Sequence, residues 1–381
     1  MKKILIMCGS YIPAKKSGGP LTSTLNVVNA LCNEYDFYII AYDHDFGEKQ
    51  RFLGIKEGWN KVGNASVYYA KDSELEFNRN GFNKIINDVM PSTIWVSGIF
   101  WPSYILPIWK ITKEHHIRFI ISPRGELCEG ALSTKRYKKI PYIIITRLLG
   151  VYKSNVLFHS TSIEETKCIQ KYLNVTPDRI INVKNIPSIN QINRSDYEKK
   201  KNELKIVFIS RIQEKKNLLF AIEVVNQLKC NVIFDIYGPI ENKIYWEKCL
   251  EEIKKSPNNI QIEYKNELSP IDVSETFSKY HCFFFPTKSE NYGHVIPEAL
   301  FAGCPVILSA ETTPWDSIDG KAGYIAKLYN HSKFVNILNK IADLDEEGFR
   351  KLSIRCQNFV KDNVNIKEEI EGHKKLFDYD F

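Results

Sequence analysis

Two carboxylates, Glu290 and Glu298, lie in the stretch SENYGHVIPEALFAGCPVI, which is otherwise apolar and punctuated by glycine. The strand predicted at CFFFPTKS places Glu290 in the loop after that strand and Glu298 in the next helix. In one unbroken helix, eight steps of 100° would set the two side chains about 80° apart. Ionised carboxylates accept hydrogen bonds, so the pair predicts a site for hydroxyl groups, as on a sugar. The alternative is an exposed loop acid and a helix N-terminal acid.

A second group of charges, in SRIQEKKNLLF, is positive. Arg211 directly follows the strand predicted at LKIVFIS, and Lys215 and Lys216 are expected at the start of the next helix. Cations there oppose the helix dipole, so we expect an anion to compensate them. A diphosphate held by Arg211, Lys216 and helix N–H groups would do so. The alternative is that the lysines are solvated and Arg211 pairs with an acid.

A glycine pair, Gly18 and Gly19, lies between the first strand and the first helix, in KKSGGPL. Glycine permits close approach of the backbone, and the free N–H groups of a helix start attract anions. The spacing does not match GxGxxG, so a dinucleotide fingerprint is absent. The pair alone is equally consistent with an ordinary turn.

The elements that position these residues alternate between strand and helix. KILIMCG is a continuous apolar run of the kind buried on both faces of a parallel sheet, and a segment with helical spacing follows it. The pattern restarts at residue 204 after the polar segment NQINRSDYEKKKNE. We therefore predict an α/β protein with a doubly wound domain at 1–190, a linker at 191–203 and a second such domain at 204–365. Ligands are expected at the carboxyl ends of the strands, in a cleft between the domains.

Charge is distributed unevenly over the 381 residues: residues 1–190 carry a formal +9 and residues 191–381 a formal −2. The first half is therefore expected to face an anionic surface or ligand, the alternative being a solvated basic face. The nine cysteines include no CxxC pair and predict reduced thiols in a cytosolic protein. The short apolar run at the start is interpreted as a strand rather than a signal peptide. No apolar run approaches the roughly 20 residues that span a bilayer.

The basic segment around YKKIPYIIITRLL carries no acidic residue between Glu129 and Glu164. Basic side chains beside an apolar run suit an anionic membrane surface, and the alternative is a core helix with a solvated basic flank. Pro141 is expected in the first turn of this helix. Its cations are Lys135, Arg136, Lys138, Lys139, Arg147 and Lys153.

Residues 204–310 resemble the carboxy-terminal half of the family 4 retaining glycosyltransferases, which have the two-domain GT-B fold with two Rossmann-like domains facing across a cleft. The resemblance rests on SRIQEKKN, DIYGP, YKNELSP and SENYGHVIPEALFAGCPVILS. In the first half, SGGP, ISPRGEL and FHSTSIEE resemble bacterial members that build capsule and O-antigen repeat units. The resemblance also implies that residues 366–381 form a helix that crosses back to the first domain.

The resemblance implies specific roles. Arg211 and Lys216 would hold the donor diphosphate, Glu298 the ribose hydroxyls, and Glu290 would face the transferred sugar. Sugar hydroxyls and phosphate would be contacted by Asn291, Tyr292, Gly293 and His294. The diphosphate would be closed over from the other domain by Gly18 and Gly19. The base would be lined by Tyr237, Gly238 and Tyr264.

Arg124 marks a departure from the family, because many relatives have a histidine at the strand end where this chain has SPRGEL. Arg124 is expected in the site, against the donor phosphate or the acceptor; the alternative is a structural pair with Glu126. No metal-ligand spacing is present, so we expect no cofactor and a metal-independent reaction, with fixed cations supplying the electrostatic stabilisation.

The predicted function is a cytoplasmic glycosyltransferase, peripheral on the inner face of the plasma membrane. It would move a hexose or N-acetylhexosamine from a nucleotide-diphosphate sugar, expected to be UDP-linked, to a lipid-diphosphate-linked glycan of a surface polysaccharide. No nucleic-acid partner is expected. The alternatives are a nucleotide-sugar epimerase of the same fold and a non-catalytic nucleotide-sugar-binding scaffold.

Overall fold

The computed structural model describes residues 1–71, 79–153, 155–188, 194, 197–290 and 292–379. The chain divides into two compact units. The first unit comprises Met1–Ile186 together with Ile366–Phe381, and the second comprises Pro187–Asn365.

The first unit contains an eight-stranded sheet in the order β3-β4-β2-β1-β5-β6-β7-β8, parallel except for the antiparallel pair β3 and β4. Its strands are β1 Lys2–Met7, β2 Tyr35–Tyr42, β3 Trp59–Val62, β4 Ala65–Ala70, β5 Thr93–Ser97, β6 Arg118–Ser122, β7 Val156–Ser160 and β8 Ile180–Asn182. Its helices are α1 Gly19–Leu31, α2 Arg79–Val89, α3 Pro102–His115, α4 Glu129–Ser133, α5 Arg136–Leu148, α6 Ile163–Leu173 and α13 Ile366–Asp378.

Strand β1 shows why this sheet is buried on both faces. Ile4 and Ile6 belong to one apolar cluster, and Leu5 and Met7 belong to the cluster on the other side. Because successive side chains of a strand point to opposite faces, an unbroken apolar run requires cover on both sides. Helix α13 provides part of that cover, with the Phe377 ring 5.5 Å from the ring of Trp95.

The second unit contains a six-stranded parallel sheet in the order β11-β10-β9-β12-β13-β14. Its strands are β9 Glu203–Ile209, β10 Asn231–Tyr237, β11 Ile260–Tyr264, β12 Cys282–Phe285, β13 Val306–Ser309 and β14 Gly323–Ala326. Its helices are α7 Leu218–Val225, α8 Lys243–Ile253, α9 Val273–Phe277, α10 Val295–Phe301, α11 His331–Ala342 and α12 Glu346–Asn363. The predicted α/β class with two doubly wound parallel sheets is confirmed.

Two local predictions were wrong. Pro141 lies inside α5 rather than in its first turn, because the helix begins at Arg136. Lys215 and Lys216 do not open a helix: they lie in a separate 3₁₀ turn, Glu214–Lys216, and α7 begins at Leu218.

Residue Lys199 of the predicted linker is buried and donates hydrogen bonds to the carbonyls of Ala342 and Leu344. Residues 191–193, 195 and 196 of that linker lie outside the described residues.

Candidate functional site

Strand order locates the ligand-binding edge of the second unit. Strand β9 lies between β10 and β12 in the sheet. From β9 the chain first adds β10 and β11 on one side and then adds β12, β13 and β14 on the other side, so the order of strands reverses at β9 and β12. In open parallel sheets, ligands bind outside the carboxyl ends of the strands at such a reversal. The loops that follow β9 and β12 therefore form the candidate site, and both carry charged residues singled out above.

Backbone contacts tie these two loops together. The side-chain amide of Asn217 donates to the carbonyl of Pro286 at 3.0 Å. The carbonyl of Lys215 accepts from the amide of Lys288 at 2.9 Å and from the hydroxyl of Thr287 at 3.2 Å. The turn that carries Lys216 is consequently held against the loop that carries Glu290. No sequence signal marked Asn217 and Thr287 for this role.

An ion pair joins Lys216 and Glu290 at the centre of this edge, with the lysine ammonium donating to the glutamate carboxylate. The side chains are 7% and 19% exposed, respectively. Burial lowers the pKa of Lys216, and the Glu290 carboxylate opposes that shift. The sequence placed the two residues at the same sheet edge, and the structure brings them into contact.

Gly293 is required beside this pair. It has φ of +73°, and a Cβ atom there would lie 3.0 Å from Cγ of Glu290. Its neighbours form an aromatic group: the rings of Tyr292 and His294 lie 5.0 Å apart, and the indole N–H of Trp315 donates to the carbonyl of Tyr292 at 2.7 Å. Asn291 lies outside the described residues.

Glu298 occupies the fourth position of α10 and is 4% exposed. Burial raises the pKa of its carboxyl group to about 8. Within the described residues, no hydrogen bond or ion pair to this side chain is found. A buried acceptor without a partner has a strong tendency to bind a donor or to remain protonated.

Arg211 points to the same edge, but its guanidinium pairs with the carboxylate of Glu241 at 2.8 Å. The two side chains are 45% and 27% exposed. Exposed ion pairs of this kind contribute about 0.2–1 kcal/mol, so an incoming anion could replace Glu241 at little cost. The alternative raised for Arg211, pairing with an acid, describes its present contact.

The predicted base-binding residues lie together at the ends of β10 and β11. The Tyr264 hydroxyl donates to the carbonyl of Gly238 at 3.0 Å. Gly238 has φ of +131°, and a Cβ atom there would collide with the carbonyl oxygen of Ser210. The Tyr237 hydroxyl lies 3.0 Å from that of Tyr280. Trp246, which the sequence did not single out, has its ring 5.1 Å from the ring of Tyr264.

In the first unit, Arg124 follows β6 and has φ of +55°. Its guanidinium donates to Asn185 at 2.6 Å and to Ser97 at 3.4 Å, and its second terminal nitrogen, Nη2, is buried without a partner among the described residues. Burial lowers the pKa of Arg124 to about 10. Glu126 instead accepts from the backbone amides of Ile99 and Phe100, so the structural pair of Arg124 with Glu126 is not formed.

The glycine pair begins helix α1. Gly18 has φ of +57° and occupies the N-cap position, and Gly19 is the first residue of the helix. The preceding loop is fixed by Asp45, whose carboxylate accepts the backbone amides of Lys15 at 2.7 Å and Lys16 at 3.2 Å. Asp45 is a buried residue that the sequence did not indicate.

Two negative findings apply to the part of the chain that the structure describes. There, no group of three or more His, Cys, Asp or Glu side chains has an arrangement that could hold a metal ion. Its helices are also too short or too polar to cross a membrane.

Comparisons with known proteins identify the second unit. Residues 190–357 match the family described as Glycosyl transferases group 1. A processive diacylglycerol alpha-glucosyltransferase from Acholeplasma laidlawii is 24% identical over 153 residues, which cover 40% of this chain and 45% of the relative. The match therefore spans less than half the length of that relative.

Solved structures cover nearly the whole chain. HepE from Anabaena, in complex with UDP and glucose, has a TM-score of 0.67 at 11% identity over 99% of both chains. WaaG, described as a glycosyltransferase involved in lipopolysaccharide biosynthesis, has a TM-score of 0.67 at 12% identity over 99% of this chain and 100% of its own. The chain thus has the GT-B fold of these solved structures, and its residues 190–357 match the glycosyl transferases group 1 family.

Proposed function

We propose that this protein is a retaining family 4 glycosyltransferase that moves a hexose or N-acetylhexosamine from a UDP-linked donor to a lipid-linked oligosaccharide. The observation that carries the proposal is the ion pair of buried Lys216 with partly buried Glu290, at the strand-order reversal of the unit that contains the group 1 match. It places a cation and a hydroxyl acceptor in contact, as a sugar joined to a diphosphate requires.

The donor diphosphate is assigned to Lys216 and Arg211. Both cations now bind carboxylates, Glu290 and Glu241, and each would exchange that partner for a phosphate oxygen. Negative charge grows on the diphosphate as it leaves, so fixed cations stabilise the transition state more than the ground state. We propose on this basis that the reaction needs no metal ion and no cofactor.

The donor's hydroxyl groups are assigned to the two glutamates. Glu290, released from Lys216, would accept from the transferred sugar near its anomeric carbon, and Glu298 would accept from the ribose. Gly293 lets the backbone pass close to Glu290, since a Cβ atom there would lie 3.0 Å from Cγ of Glu290. Tyr237, Gly238 and Tyr264 would line the base.

The acceptor is assigned to the first unit. Arg124 has a buried N–H donor without a partner among the described residues, which suits an anionic group. Gly18 and Gly19, at the start of α1, are proposed for the donor diphosphate rather than the acceptor, because the first N–H groups of a helix attract anions. A lipid-diphosphate-linked glycan at the inner face of the plasma membrane, as in capsule or O-antigen assembly, fits the net positive charge of residues 1–190. The diacylglycerol-linked activity in the Acholeplasma relative's name is consistent with such an acceptor.

The test begins with thermal shift against UDP, GDP, ADP and TDP sugars, because a ligand that binds only the native state raises the unfolding temperature. We expect UDP-sugars to stabilise the protein most. The stabilising donors are then incubated with lipid-linked acceptor extracts, with and without EDTA. Stabilisation by none of the panel would overturn the proposal.

The same experiment separates the alternatives. Isomerised donor in the absence of acceptor would assign an epimerase. Binding without transfer or isomerisation, across donors and acceptor extracts, would assign a scaffold. Inversion at the anomeric carbon of the product would contradict retention, and loss of transfer in EDTA would contradict metal independence.

A further inference from the structure

Helix α5 of the first unit buries one face, and its opposite, apolar face is not covered by any residue that the structure describes. Ile143 and Thr146 are buried. The other face carries Tyr137, Ile144, Ile145, Leu148 and, just after the helix, Leu149, each 50–82% exposed. Pro141, also exposed, lies among them. We call this set the α5 stripe.

The stripe is continuous along the helix. At 100° per residue, positions 137, 141, 144, 145 and 148 fall within an arc of about 100°, and the buried positions 143 and 146 lie on the opposite side. Core packing explains the buried face but not the exposed one. An exposed apolar face of this length on a helix indicates an interaction surface.

Cations border the stripe. Arg136 and Arg147 project on one side of its arc and Lys138 on the other, by the same helical geometry. Lys135 and Lys153 lie before and after the helix, and all five are exposed. None of the five forms an ion pair with any residue that the structure describes, and the sequence has no acidic residue between Glu129 and Glu164.

We propose that the α5 stripe lies in the headgroup region of an anionic lipid membrane. The exposed apolar side chains would enter the boundary between headgroups and acyl chains, and the bordering cations would contact lipid phosphates. Charge complementarity selects this partner, because a second copy of the chain would bring the same cations together around a shared stripe. The inference extends the proposed lipid-linked acceptor by naming the surface that reaches the membrane.

The test is co-sedimentation of the full chain with vesicles, in the absence of nucleotide and acceptor. Vesicles of phosphatidylcholine with phosphatidylglycerol should pellet the protein, and vesicles of phosphatidylcholine alone should not. Binding should weaken as salt rises. Because no substrate is present, failure of the proposed transferase activity would leave the result unchanged.

Two double variants separate the contributions of the stripe. Ile145→Ser/Leu148→Ser should lower vesicle affinity by at least tenfold, because both side chains are exposed and would lose apolar contact with lipid. Arg136→Gln/Arg147→Gln should lower it by about fivefold per charge. The matched control is Ile244→Ser/Lys248→Gln on α8, where Ile244 is 70% exposed; its affinity should remain that of the wild type.

Three results would overturn the proposal. The first is absence of binding to anionic vesicles by protein whose circular dichroism spectrum shows that it is folded. The second is equal loss of affinity in the α8 control. The third is a dimer in sedimentation velocity that Ile145→Ser/Leu148→Ser dissociates, without vesicle binding, which would assign the stripe to a second copy.

Discussion

The sheets of the two units hold their buried cations differently at their carboxyl edges. In the second unit, Lys216 forms an ion pair with Glu290. In the first unit, Arg124 donates to two neutral groups, those of Ser97 and Asn185. The buried carboxylate nearby, Glu165, accepts from the backbone amides of Gly125 and Thr161 and from the Thr161 hydroxyl.

This difference has a consequence for ligand binding. In the proposed function Lys216 exchanges Glu290 for a phosphate oxygen, and Glu290 thereby becomes available for another donor. Separation of this one ion pair would make both Lys216 and Glu290 available to the donor. Among the described residues, Arg124 has no carboxylate to release, and its Nη2 donor is buried without a partner. A mutation at the second edge, whether or not it changes charge, is therefore expected to rearrange the Lys216–Glu290 contact. A mutation at the first edge is expected to remove a contact of Arg124 that is already in place.

The largest effect is expected from Glu290→Gln. The amide keeps the shape but loses the charge, so transfer should fall by roughly 10²–10⁴-fold. UDP affinity should be unchanged or slightly higher, because Lys216 no longer has to leave a carboxylate. Rates and calorimetric affinities are compared with those of Glu347→Gln, which removes an exposed pair with Lys351. Undiminished transfer would exclude Glu290 from the reaction.

Lys216→Met should weaken binding of UDP-glucose by about 10–100-fold, since charge-assisted hydrogen bonds contribute about 1.5–3 kcal/mol. It should also lower the free energy of unfolding by about 1–3 kcal/mol, because Glu290 keeps its charge without the lysine. Calorimetry and urea denaturation measure the two effects. Wild-type affinity for UDP-glucose would remove Lys216 from the donor site.

Glu298 is expected to make donor binding depend on pH. In the free protein its pKa is raised to about 8 by burial, and ribose hydroxyls bind the ionised form better. The affinity for UDP-glucose should rise by up to about tenfold per pH unit between roughly pH 6 and 8, with release of up to one proton. Calorimetry in buffers of different ionisation enthalpy measures that proton. Glu298→Gln should bind independently of pH over this range; an unchanged pH profile would assign the dependence to another group.

The raised pKa of Glu298 affects stability and donor binding in opposite directions: as pH rises, binding strengthens and stability falls. Between the ordinary glutamate pKa and about 8, the folded state keeps a proton that the unfolded state has lost. The contribution of Glu298 to the free energy of unfolding therefore falls as pH rises through this window and levels off above it. Urea denaturation of the wild type and Glu298→Gln across this range should show the two converging towards low pH.

The smallest effect on stability is expected from Arg124→Met. Removing a buried cation that pairs with no carboxylate in the described part of the chain should change the free energy of unfolding by less than about 1 kcal/mol, in contrast to Lys216→Met. Transfer should nevertheless fall, and Arg124→Lys should restore part of it if the charge binds the acceptor. A destabilisation as large as that of Lys216→Met would remove the distinction between the two edges.

The chain's local patterns were sufficient to predict two parallel sheets and to place several charged residues at their edges. Arg211 and Glu290 lie in the loops that follow β9 and β12, and the carboxyl ends of parallel strands meet at one edge. Predictions that required knowledge of which residues are neighbours in space were less complete. Trp246 and Asp45 gave no signal, because an aromatic residue in a helix or an acid in a loop is common to many environments.

What the sequence determined by itself is the set of apolar periods and the order of strands and charged residues, since these depend on neighbours within a few positions. The tertiary structure decided which distant residues pair and which helix faces are covered. Lys216 and Glu290 are 74 positions apart, and Arg124 and Asn185 are 61 apart, so their contacts depend on how strands order in the sheets. IPYIIITRLL is apolar nearly all round, and only packing shows which face of α5 the protein covers and which it leaves exposed.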